Sequence, residues 1–127
     1  MKTLLLKTSK QTDFLDITSK VQEYVHEAQI GHGIVTVFVP HTTAAVTINE
    51  NADPDVLHDM SNILDRIVPW TNGYAHMEGN SAAHVKSSMY GVSQQIIVEN
   101  GILQLGTWQG IYFCEFDGPR NRRVYFH

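Results

Sequence analysis

A single cysteine, Cys114, stands in a chain of 127 residues, so no disulfide can form within it. That absence argues against a disulfide-stapled secreted fold and for a reducing compartment. No apolar stretch approaches the ~20 residues needed to cross a bilayer. Leu4-Leu5-Leu6 is closed off by Lys7 and Lys10, far short of a signal-peptide core, so the expected location is cytoplasmic. Charged residues are few, at 17% against 43% hydrophobic, which is the balance of a globular chain and not of a disordered one. Positive charge is scarcer still. Nine basic residues against thirteen acidic ones leave a net charge of −4, which argues against nucleic acid or anionic membrane as a partner. No linker, low-complexity tract or long-period repeat divides the chain, and its length suits one domain over residues 1–127. What it does hold in number is histidine, seven in all.

Local patterning predicts an α+β fold, with mainly antiparallel, sandwich-like sheets and two to three helices. Thr3–Thr8 and Phe14–Ile17 read as short strands. Val21, Tyr24, Val25 and Ala28 fall on one helical face after the capping residues Thr18 and Ser19, and Gly31-His32-Gly33 stops that helix. Ile34–Val39 and Ala44–Glu50 are strand runs. Asp53 and Pro54 start a second helix whose apolar positions recur from Val56 to Ile67 before Pro69. Asn80 and Ser81 can cap a third through Met89. Asn100-Gly101 between Gln94–Glu99 and Ile102–Thr107 is a hairpin turn. Ile111–Asp117 and Arg122–Phe126 are expected to form a last strand pair.

Three constellations can carry chemistry. His41 follows Pro40 at a strand end, while His76 and His84 flank a glycine-containing loop and a helix start. Imidazole is both a common metal ligand and a base near neutral pH, but no zinc spacing is present, so structural roles compete with ligation. Glu115 and Asp117, two apart on a strand, share a face and can bind Mg²⁺ or a polar ligand; alternatively the strand has simply reached solvent. The Asn80-Ser81 helix start and Arg120, Arg122 and Arg123 can meet phosphate oxygens, although capping and surface charge explain the same letters. Cys114 lies in an apolar strand as an inert small hydrophobe. No nucleophile elbow surrounds any serine.

Several long motifs then occur in order. Pro40-His41-Thr42-Thr43-Ala44-Ala45 leads to Asn49-Glu50-Asn51-Ala52-Asp53-Pro54; His76 to Ser88, Leu105 to Phe113 and Glu115-Phe116-Asp117-Gly118-Pro119-Arg120 follow. Over nearly its full length the sequence resembles the YjbQ family, also described as UPF0047. The resemblance implies a YjbQ-like α+β fold, commonly a homotrimer, and the label of a secondary thiamine-phosphate synthase. That reaction joins hydroxymethylpyrimidine diphosphate to thiazole phosphate and releases pyrophosphate. It makes one polar pocket the expectation, with His41, His84, Glu115 and Asp117 as catalytic candidates. Glu50, Asn51, Asp53, Asn80, Ser81, Lys86 and Arg120 would bind a small phosphorylated metabolite. His41, His76 and His84 would hold a divalent metal, Zn or Mg. The competing readings are a metal-dependent hydrolase of a phosphorylated metabolite and a non-catalytic trimeric binding module.

Overall fold

The computed structural model describes residues 1–127. Its strands are β1 (Lys2–Lys7), β2 (Asp13–Asp16), β3 (Gly33–Phe38), β4 (Ala44–Glu50), β5 (Ser93–Glu99), β6 (Ile102–Leu103), β7 (Gln109–Glu115) and β8 (Asn121–Phe126). Helices α1 (Thr18–Glu27), α2 (Pro54–Ile67) and α3 (Ser81–Tyr90) complete it. The strands make two antiparallel sheets, one of five in the order β1-β8-β3-β5-β6 and one of three in the order β2-β7-β4. The α+β sandwich expected from patterning is therefore present, with three helices.

The alternation of the strands explains the layering. Val35 and Val37 on β3, Ile96 and Val98 on β5, and Val124 and Phe126 on β8 point inward from the larger sheet. They meet Ala44 and Val46 of β4, Ile111 and Phe113 of β7, and Val21 and Val25 of α1. The other face of the small sheet is also covered. Tyr112, Cys114 and Phe116 pack with Leu64 of α2 and Ala83 of α3, so β7 is buried on both sides. Asp53 caps α2 as expected, accepting from the Asp55 N–H at 2.9 Å, with Pro54 at the first helical position. Asn100 and Gly101 both take positive φ (52° and 73°), which is the primed turn that the Asn-Gly pair predicts.

One pairing differs from expectation. β7 and β8 do not pair with each other; β7 lies between β2 and β4, and β8 lies between β1 and β3. The segment between them crosses from one sheet to the other, and so do the connections β1–β2 and β3–β4. Thr8 N–H donates to Arg120 O at 2.9 Å and Gly118 N–H to Gln11 O at 3.0 Å, tying the first and last of these crossings together. Gly118 sits at the tightest point. A Cβ there would lie 2.3 Å from Lys10 O, 2.8 Å from Glu115 Cγ and 2.9 Å from Thr8 Oγ1. Gly118→Ala is expected to cost roughly 3 kcal/mol, read by urea denaturation, because a backbone carbonyl cannot swing aside.

Candidate functional site

The sheet crossings place strand ends and loops around one cavity of about 1060 Å³. His41 comes from the β3–β4 crossing, His76 from the irregular segment before α3, and His84 from the first turns of α3. Asn80, Asp117 and Arg120 line the same space. Six of the residues expected in a polar pocket therefore share one cavity.

Their hydrogen bonds make Asp117 a hub. Asn80 Nδ2 donates to Asp117 Oδ2 at 2.9 Å, and Arg120 Nη2 donates to the same oxygen at 2.8 Å. Arg120 Nε also donates to Asp117 O at 2.7 Å. Because its amide is drawn to Asp117, Asn80 makes no capping bond to α3, contrary to the capping expected of it. Its Oδ1 is buried without a partner.

The imidazoles divide into a pair and a single. His76 and His84 rings stand nearly perpendicular with centroids 5.5 Å apart. His76 Nε2 lies 4.0 Å from Glu78 Oε1. His41 Nε2 accepts the Arg123 backbone N–H at 3.1 Å, which puts the neutral ring's proton on Nδ1. Burial, and then the Arg122 charge, lower the His41 pKa from its ordinary value. No group of three His, Cys, Asp or Glu side chains is placed to hold a metal ion. The expected set of His41, His76 and His84 therefore lines one space without forming a ligand shell within the chain, and His41 Nε2 is already engaged.

Other expected residues lie elsewhere, each for a visible reason. Glu115 shares the inward face of β7 with Ile111 and Phe113, so it enters the inter-sheet core and is fully buried. There it accepts from Arg122 Nε at 2.8 Å, Arg122 Nη2 at 2.5 Å, Thr8 Oγ1 at 2.8 Å and the Asp117 N–H at 3.1 Å. Lys86 lies two residues beyond His84, about 200° around the helix. It is buried against α2 in an ion pair with Asp65. Glu50 ends β4 and Asn51 and Asp53 follow it, roughly 20 Å of strand from the cavity. Glu50 O accepts from the Tyr112 hydroxyl, Asn51 packs where Gly110 leaves room, and Asp53 caps α2. Ser81 opens α3 without lining the cavity.

Arg122, in sequence one of three neighbouring arginines, lines the cavity and is 7% exposed. The signal for it is in the pattern. Arg122, Val124 and Phe126 share one face of β8, so the strand that buries two apolar side chains must bury the arginine too.

A family model described as "UPF0047 protein YjbQ-like" matches residues 2–127. The chain belongs to the UPF0047/YjbQ family. Among UPF0047 relatives, YugU of Bacillus subtilis (strain 168) is 56% identical over 126 residues, 98% of this chain and 96% of that protein. A member from Methanocaldococcus jannaschii is 51% identical over 120 residues, 94% of this chain and 87% of that one. A crystal structure of a YjbQ/UPF0047 protein from Clostridium acetobutylicum superimposes with a TM-score of 0.99 at 55% identity. It covers 100% of this chain and 98% of that one. The YjbQ-like fold is thus shared across its whole length. No helix is long and apolar enough to cross a membrane.

Proposed function

We propose that this UPF0047 chain binds a small phosphorylated metabolite and works as a thiamine-phosphate synthase-type transferase. The observation that carries the reading is the convergence of His41, His76, His84, Arg120 and Arg122 on one cavity. In the reaction, the C–O bond between the pyrimidine methylene and the diphosphate breaks, and its electron pair leaves with pyrophosphate. The thiazole nitrogen supplies the pair for the new C–N bond and becomes cationic. Arginine and imidazole N–H groups suit the charge that grows on the leaving diphosphate. Asp117 lines the cavity and can face the cationic ring through Oδ1, because its bonds to Asn80 and Arg120 use only Oδ2, whereas Glu115 is taken up by Arg122. A divalent ion would have to draw ligands from beyond this chain's own side chains, so phosphate charge is assigned to arginine and imidazole donors.

A homotrimer belongs to the same proposal. The outer face of the five-stranded sheet exposes Leu5, Ile34, Phe38 and Ile97, with Ile34 directly opposite Ile97, an apolar surface suited to burial against another copy.

The test uses untagged protein with hydroxymethylpyrimidine diphosphate and thiazole phosphate, with and without chelator, and light scattering for mass. Thiamine phosphate and pyrophosphate are expected in equal amounts from a particle of three chains. Phosphate release without a C–N product points to a hydrolase instead, and a metabolite retained without turnover points to a binding module.

A further inference from the structure

The guanidinium of Arg122 is engaged on two of its three nitrogens. Nε and Nη2 make the paired bonds to Glu115, and Nη2 also donates to Thr43 Oγ1 at 2.8 Å. Nη1 makes no hydrogen bond in the chain, but it is not sealed in the core. Asn80 Oδ1 is the sole buried side-chain nitrogen or oxygen left without a partner, so Nη1 keeps access to open space. The open space that Arg122 lines is the cavity, and only 6% of its side chain is exposed. We infer that Arg122, through Nη1, is the fixed donor that anchors a phosphoryl or diphosphoryl group in this cavity. The inference rests on the reading that the cavity takes a phosphorylated ligand.

Arg120 is the obvious rival and the poorer anchor. Its side chain is half exposed on a turn, and Nε and Nη2 are bonded to Asp117. Closing such an exposed arm on a ligand loses rotamer freedom. Arg122 is ordered before any ligand arrives, by the bidentate bonds that a planar guanidinium makes to a carboxylate. Glu115 neutralises the net charge of the pair, so Arg122 acts by directed N–H donation and not by a broad positive field. An acidic chain can hold an oxyanion in that way. His41 adds to it, because its Nε2 accepts from Arg123 and the ring keeps an N–H on Nδ1 beside the same cavity.

The experiment is calorimetric titration of untagged full-length protein with inorganic pyrophosphate. Arg122→Lys keeps a cation for Glu115, but an ammonium turned to that carboxylate cannot present a second fixed donor. Its affinity is expected to fall about tenfold or more, while Arg120→Ala loses only about threefold. Thermal denaturation of each variant checks folding. The double variant Glu115→Leu/Arg122→Met, which removes both buried charges together, should show the same loss if Arg122→Lys proves unstable. Wild-type affinity in folded Arg122→Lys or in the double variant, or a larger loss in Arg120→Ala, overturns the assignment and leaves the phosphate site standing. A wild-type protein that does not bind pyrophosphate removes both.

Discussion

Glu115→Leu should lower stability by about 3–5 kcal/mol and the melting temperature by on the order of 15 °C. Leucine suits the apolar surroundings, so the loss comes from what is left behind. Arg122 would keep its charge at 7% exposure with only Thr43 as a side-chain partner. Thr8 Oγ1 and the Asp117 N–H would lose their acceptor as well. Adding Arg122→Met removes the stranded cation, and the double variant should recover most of the deficit, since a buried ion pair is often replaceable by packed apolar groups. Denaturation of both variants measures this. Equal losses in the single and double variants would mean that the shape of the carboxylate, and not its charge, holds this end of the sandwich.

The same pair sets an acid limit. Burial pushes the Glu115 carboxyl up, but the donors from Arg122, Thr8 and the Asp117 N–H outweigh it and hold the group below its ordinary 4.5. A carboxylate depressed by folding contributes stability above its unfolded value, and that stability is lost as pH falls through the folded one. His41 acts in the same direction. Burial and Arg122 hold its pKa below 6.5, so the fold opposes its protonation and stability declines as pH drops below that value. Wild-type stability should therefore be flat near neutrality and fall on acidification. In Glu115→Leu the decline below pH 4.5 should be shallower.

Local patterning specified most elements of the fold, because each carries its own signal. The Asn100-Gly101 turn, the Asp53-Pro54 start of α2 and the β-branched run of β3 need nothing from distant residues. Which strands would pair was a different matter. Arg122–Phe126 follows Ile111–Asp117 through a short turn-rich segment, and nothing in those letters shows that it crosses to another sheet. That crossing decides the site. It puts Asp117 and Arg120 at the cavity and leaves Glu115 behind in the core. Motif membership likewise marks importance without marking role. Asn51, Asp53 and Lys86 stand in family motifs beside His41 or His84, and the structure gives them packing, capping and ion-pair positions. The convergence of His41, His76 and His84 depends on three separate segments meeting, a long-range fact that spacing along the chain does not encode.

Of the three imidazoles, His84 is expected to matter most for turnover, and His84→Ala should reduce thiamine phosphate formation by about 100-fold in kcat. His41 has Nε2 committed to Arg123, and His76 stands on irregular chain with its ring nearly half exposed. His84 projects from the first turns of α3, a helix whose Ala82 and Ala83 are fully buried, so its ring is carried on the most rigid support of the three. No hydrogen bond or ion pair of the fold uses its ring, so the substitution should leave stability within about 0.5 kcal/mol. A proton or N–H donated to the departing diphosphate acts in the transition state and not in the ground state. It should therefore change kcat while leaving KM close to the wild-type value. His76→Ala, which removes the ring packed edge-on against His84, should have a smaller effect on kcat. A rise in KM at unchanged kcat in His84→Ala would make His84 a binding group, and unchanged kinetics would remove it from the site.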